Sequence, residues 1–309
     1  MLDGGFATEL ERRGVPIDGP LWSARALAEA PGDVVAVHRS YIDAGADVLL
    51  TASYQVSAMG FAAHGFCGGE AEHAAAEALR RSVALAAQAR EEAKRPDVLI
   101  AASLGPYGAA LANGAEFHGR YGFASEAAEH AALVRFHAER IAVLVDTDAD
   151  LLAFETLPSL AEARAIAEAL DGGPGSAAEA RPGAWFSFTC RDTAHTAHGE
   201  HLRDCASYLD TVPQVLAVGI NCTSPQGVAP LLRELRAGTG KPLLAYPNSG
   251  EGWDAEGHCW IEAAPGVAHA QNYGSLAREW FEAGAQLVGG CCRTGPAHIR
   301  AVRAAVDGS

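Results

Sequence analysis

The 309-residue chain lacks both common nucleotide fingerprints. No G-x-G-x-x-G follows its first apolar segment and no G-x-x-x-x-G-K-[ST] occurs anywhere, so dinucleotide and P-loop readings lose support. Basic residues are scarce, 23 Lys and Arg against 38 Asp and Glu, for a formal charge of -15. That sign repels phosphate, which argues against nucleic acid and anionic membranes as partners. No apolar run is long enough to cross a bilayer, and no basic-plus-apolar leader opens the sequence, so a cytoplasmic protein is expected. The seven cysteines (67, 190, 205, 222, 259, 291 and 292) are an odd number in a long chain. They do not read as a disulfide framework, and reduced thiols are expected. No exposed heptad or apolar patch can be placed, so the sequence says nothing about oligomeric state.

What is present is an alternation. Short apolar segments at 1–5, 46–51, 98–104, 151–154, 185–189, 215–220, 242–246 and 286–288 read as strands. Helix-forming stretches follow them: 8–13, 31–44 with Gly45 as its stop, 69–94, 125–145, one opened by Ser159 as N-cap, 204–209, 228–237, 274–283 and 297–306. Such alternation implies a parallel sheet with right-handed crossovers. Eight units in this length favour an α/β fold of the closed (β/α)8 TIM-barrel type, one domain over 1–309, rather than an open doubly wound sheet. Residues 105–122 form a glycine- and tyrosine-rich loop, long enough for a lid or substrate loop. Residues 172–183 read as a mobile loop.

Barrel active sites collect at the C-terminal strand ends. Here those ends carry Asp3, Ser53-Tyr54-Gln55, Glu155-Thr156, Asn221-Cys222, Asn248-Ser249 and Cys291-Cys292. The paired cysteines follow Gly289-Gly290, which lets the chain leave strand geometry so that adjacent thiols can face one point. Cys222 ends the sixth strand and the pair ends the eighth; alternate strands fill the same interior layer. Three such thiolates would leave a tetrahedral zinc one open position. Buried small hydrophobes and a vicinal disulfide or redox switch are the alternatives. Asp3 and Glu155 facing one cavity could hold an ammonium group, with the Gly4-Gly5 amides taking the matching carboxylate. Phe6, Tyr54, Tyr107, Tyr246 and Trp253 could line a cavity for a cation. His195, His198 and His201 read as a polar loop rather than a metal site, because Gly199 argues against the helix that would align them.

Six segments carry a resemblance: residues 3–14 (DGGFATELERRG), 51–55 (TASYQ), 154–156 (FET), 219–225 (GINCTSP), 246–251 (YPNSGE) and 289–294 (GGCCRT). In order, to about residue 299, they resemble the homocysteine S-methyltransferases. The resemblance implies a zinc-dependent barrel that methylates L-homocysteine to methionine. It places the zinc thiolates on Cys222, Cys291 and Cys292 and the homocysteine-binding acids on Asp3 and Glu155. Tyr54, Asn221 and Asn248 are further candidates for substrate contact. The 246–251 segment and Arg293-Thr294 look like the branch whose donor is S-methylmethionine or S-adenosylmethionine. The histidine-rich stretch after Cys190-Arg191-Asp192 departs from the family pattern. Methylation of another thiol or a selenol on the same barrel, and a non-catalytic zinc or redox cluster, are the competing readings.

Overall fold

The computed structural model describes residues 1–17, 25–172, 182–254, 259–261 and 268–307, with the backbone alone for 252–254 and 259–261. Its strands are β1 (Val48–Leu50), β2 (Leu99–Leu104), β3 (Leu151–Leu157), β4 (Gly183–Phe188), β5 (Val215–Asn221), β6 (Leu243–Tyr246), β7 (Gly252–Asp254), β8 (Cys259–Ile261) and β9 (Ala285–Val288). Seven of them form one parallel sheet in the order β1-β2-β3-β4-β5-β6-β9, with helices between, and β7-β8 is a separate antiparallel ribbon. The sheet curls on itself. Leu2 bridges Val48 of β1 and donates its N–H to Val288 O of β9 at 2.8 Å. The expected first strand is thus a single-residue bridge, because Asp3-Gly4-Gly5 turns directly into the helix Phe6–Arg12.

Strand parity sorts the side chains into two layers. Leu2, Val48, Leu50, Ala101, Ala153, Trp185, Ala217, Leu244 and Tyr246 form an inner cluster. Their neighbours Leu49, Ile100, Ala102, Leu152, Phe154, Val218 and Leu243 belong to the outer core between sheet and helices. Alanines on β2, β3 and β5 make room inside for Trp185 and Tyr246, whose rings lie 6.5 Å apart. The same parity turns Ser103, Glu155 and Asn221 inward, above the packed layer.

Most helix signals hold. Gly45 (φ +100°) follows the helix Pro31–Asp43. Ser125 Oγ accepts from Ala128 N–H at 3.2 Å and opens Glu126–Leu144. Ser159 Oγ accepts from Glu162 N–H at 3.2 Å and opens Leu160–Gly172. The helix expected from residue 274 begins a turn earlier, as Ala270–Glu282. Gly274 is a packing glycine rather than a start: a Cβ there would lie 2.8 Å from Ala301 O. The 105–122 loop contains a helix, Tyr107–Leu111, and a 3-10 turn, Ala115–Phe117. Most of the 172–183 loop, residues 173–181, lies outside the described residues. No helix among the described residues is long and apolar enough to cross a membrane.

Candidate active site

Where N-terminus and β9 meet, small residues are required. A Cβ on Gly5 would lie 2.5 Å from Cys291 O, and one on Gly290 would lie 2.3 Å from Thr294 Oγ1. Thr294 ties the seam: its hydroxyl donates to Cys291 O at 2.7 Å and accepts from Gly5 N–H at 3.1 Å. Cys291 N–H donates to Pro247 O at 2.8 Å, and Cys292 O accepts from Ser249 N–H at 3.1 Å. The cysteine pair is therefore held by backbone bonds to both the amino-terminal turn and the segment after β6.

Cys222 arrives from the opposite side. Asn221 already points inward, so regular strand geometry would turn Cys222 outward. Its φ of +47° turns the chain back, a conformation that costs a non-glycine residue and is typical of functional sites. The three sulfurs converge: Cys222 Sγ is 2.6 Å from Cys291 Sγ and 3.8 Å from Cys292 Sγ, and the pair is 4.0 Å apart. They form the one group of metal-ligating type found among the described residues. A tetrahedral zinc–thiolate site separates its sulfurs by roughly 3.8 Å. Two of the three distances match, and the close pair would have to open by about 1 Å. Soft thiolates suit zinc, and three ligands are one short of its usual four, the pattern of a catalytic rather than a structural site. Within the cluster, hydrogen bonds donated by Cys222 and Cys291 favour the Cys292 thiolate, while the bonds of Cys222 with Cys291 and then Cys292, and burial, raise the Cys222 thiol.

The sulfurs line a cavity of about 160 Å³ together with Gly4, Gly5, Phe6, Tyr54, Glu116, Phe117, Glu155 and Tyr246. A register shift between Phe154 and Leu157, with Thr156 at φ +61°, re-aims the end of β3 around Glu155. Burial raises the Glu155 carboxyl to about 8, reinforced by the Cys291 charge and opposed by the Ser103 hydroxyl that hydrogen-bonds to it. Asp3 is fully buried behind the lining; its Oδ2 accepts Leu50 N–H at 2.9 Å, and its Oδ1 has no partner. Burial pushes its carboxyl well up, and Glu155 adds to that.

The remaining expectations divide. Tyr54, Phe6 and Tyr246 do face the cavity. Tyr107 does not: its ring packs on Tyr121, Phe123 and Phe136. The Trp253 side chain lies outside the described residues. Asn221 is held in the scaffold, its Oδ1 accepting from Thr156 N–H at 2.7 Å and Ser187 Oγ at 2.9 Å. Asn248 is off the cavity, with its backbone N–H on Thr223 O at 3.0 Å. The Gly5 N–H is engaged by Thr294, which leaves Gly4 as the glycine amide able to meet a ligand. His195, His198 and His201 each sit beside a carboxylate, of Asp192, Glu200 and Glu234 respectively, in a bridged loop. Sequence reasoning missed Glu116 and Phe117. They sit in an irregular turn whose residues carry no periodic signal, although the loop containing them stands out by its length.

Comparison with known proteins agrees with this geometry. The family model described as homocysteine S-methyltransferase matches residues 1–306. A homocysteine S-methyltransferase of Bacillus subtilis is 44% identical over 312 residues, covering 98% of this chain and 93% of that protein. A selenocysteine Se-methyltransferase of Brassica oleracea is 41% identical, covering 98% of this chain and 87% of its own. The crystal structure of the Escherichia coli homocysteine methyltransferase MmuM in its metallated form superposes with a TM-score of 0.82 at 41% identity, covering 98% of this chain and 94% of that one. With matches of this length on a TIM-like barrel with a three-thiol cluster at its mouth, the chain belongs to the homocysteine S-methyltransferase family of methyl-transferring enzymes.

Proposed function

We propose that this enzyme transfers a methyl group from a sulfonium donor, S-methylmethionine or S-adenosylmethionine, to the sulfur of L-homocysteine, giving L-methionine, with Zn²⁺ held by Cys222, Cys291 and Cys292. The observation that carries the reading is the convergence of those three sulfurs in one cavity with the Glu155 carboxylate. An ordinary thiol is mostly protonated near neutrality, and bound zinc supplies the Lewis acidity that makes a thiolate available there.

The chain's own residues supply position. Glu155, supported by the unpartnered Oδ1 of Asp3 behind it, accepts the homocysteine ammonium group. That arrival supplies the counter-charge which two buried carboxyls lack. The Gly4 N–H takes the α-carboxylate. Tyr246, hydrogen-bonded through its hydroxyl to Ser187 at 2.5 Å and Trp185 at 3.3 Å, presents a fixed wall. The donor methyl passes from one sulfur to the other. The donor leaves as a neutral thioether, so the cavity needs no proton donor for the leaving group. Fixing the two sulfurs in line is then the main task of the protein.

A second acceptor is favoured by the Brassica relative, whose name assigns it a selenol amino acid; the same ammonium and carboxylate contacts serve that substrate. The test is a panel of donors and acceptors on the zinc-loaded protein, with methionine formation and zinc content measured. Cys222→Ser, Cys291→Ser and Cys292→Ser are each expected to lose zinc and turnover while circular dichroism stays native. Normal zinc content in all three variants would remove the proposal.

A further inference from the structure

Glu116 is the middle residue of the loop turn Ala115–Phe117 and lines the same cavity as the sulfurs and Glu155. Its Oε2 is shielded from solvent and has no hydrogen-bond partner. Burial raises its carboxyl above the ordinary range. A shielded, unpaired carboxylate is costly, and such groups are retained where a ligand completes them. The placement is built in. A Cβ on Gly108 would lie 2.4 Å from Glu116 N, so the glycine is what lets the turn fold down at this point.

A cation is the partner that would offset a shielded carboxylate charge. No Lys, Arg or His among the described residues lines the cavity. The nearby Arg293 guanidinium is paired with Glu251 at 2.5 Å and with Glu11 at 3.6 Å. Glu155 belongs to the wall with the sulfurs. Glu116 comes from the 105–122 loop and lies near Tyr54, whose hydroxyl is raised first by burial and then by the Glu116 charge. Besides Glu11, which pairs with Arg293, the described cavity lining has two acidic side chains, Glu155 at the thiol cluster and Glu116 on the loop.

Resting on the reaction proposed above, we infer that Glu116 is a specificity-determining residue for the methyl donor: its carboxylate pairs with the donor's positive charge. The chemistry gives that charge a special value. The sulfonium carries one positive charge that its thioether product has lost, because the methyl leaves without the sulfur's bonding pair. A carboxylate facing the donor favours the cation on entry and weakens its hold once transfer has discharged it.

The experiment compares wild type, Glu116→Gln and Glu116→Asp by calorimetric titration with S-methylmethionine and, separately, with methionine, and by steady-state kinetics. Glu116→Gln is expected to weaken S-methylmethionine about tenfold, the weight of one ion pair in a partly shielded cavity. Methionine affinity and the KM for homocysteine should stay within about twofold, since neither carries the sulfonium charge. Glu116→Asp should recover part of the loss. Unchanged donor affinity in Glu116→Gln overturns the inference, and so does an equal weakening of donor and methionine, which marks a structural role. Wild-type protein that binds S-methylmethionine but does not methylate homocysteine overturns the proposed reaction instead. No sulfonium binding by wild type overturns both.

Discussion

The Tyr121 hydroxyl donates to Oε2 of Glu162, the carboxylate whose Oε1 accepts the Tyr107 backbone N–H at 2.6 Å. One buried side chain therefore grips the 105–122 loop at both ends. Behind it, His137 Nε2 lies 2.9 Å from Glu162 Oε1, and Arg140 Nη2 donates to His137 Nδ1 at 2.8 Å and to Gly105 O at 2.8 Å. Because Arg140 can only donate, the His137 proton sits on Nε2 and points at Glu162. The stretch that length alone marked as a lid is a strapped loop.

Cutting that strap should separate stability from chemistry. Glu162→Ala removes the carboxylate that holds His137 and the charge that offsets buried Arg140 nearby, a loss of about 3–5 kcal/mol. Tyr121→Phe removes one hydrogen bond and should cost about 1–2 kcal/mol. Urea unfolding reads both. In the Tyr121→Phe protein, which stays folded, protease cleavage within 105–122 should accelerate and the donor KM should rise, while the homocysteine KM holds. A protected loop in that variant would mean that Glu162 does not restrain it.

Two buried histidines set an acid limit on the fold. Burial lowers His38 to about 3 and His137 to about 4. His38 packs on the Phe6 ring, with centroids 4.9 Å apart, and has no partner at either ring nitrogen. A base depressed in the folded state contributes stability that is present above its unfolded value near 6.5 and is lost as pH falls toward the folded value. Each residue should thus remove about 1.4 kcal/mol per pH unit across that window. His38→Leu should be close to wild type at pH 7 and visibly more stable relative to wild type at pH 5. Parallel pH profiles for the two proteins would exclude His38 as a contributor.

The barrel was legible because its signals are repeated. Eight apolar segments in phase with eight helices survive the loss of any one, and the first strand did shrink to Leu2 without disturbing the rest. The sulfur cluster was legible because cysteine is rare and its positions coincide with strand ends. Three features were not. The left-handed turn falls on Cys222 itself, with no local glycine to announce it. The Gly4-Gly5 pair suggested a ligand nest, but Gly5 is small because Cys291 O lies against it. Glu162, in the helix after Ser159, looks like an ordinary first-turn acid until the distant loop is folded onto it.

Glu155 offers the cleanest test of substrate orientation. Its carboxyl is raised to about 8 by burial. A homocysteine ammonium group would return it to the ionised form. Glu155→Gln keeps the shape and removes the charge. It should raise the homocysteine KM by about tenfold to a hundredfold, matching a lost charge-assisted hydrogen bond, and leave the donor KM nearly unchanged. A shift in the donor KM alone would exchange the stations assigned to Glu155 and Glu116.

The thiol cluster makes a prediction that needs no turnover. In metal-free protein Cys292 is the thiol favoured as thiolate, by hydrogen bonds from Cys222 and Cys291. The thiolate is the reactive form, so limiting iodoacetamide near pH 7 should label Cys292 ahead of Cys222 and ahead of the buried Cys205, which burial raises to about 12. Zinc added first should suppress labelling of Cys222, Cys291 and Cys292 together, because a metal held by three sulfurs occupies all three. Exposed Cys67 should label at the same rate either way and serves as the internal control. Peptide mass spectrometry reads each site. Protection of one cysteine without the other two would mean that the sulfurs bind metal separately, and the three-thiolate centre would have to be abandoned.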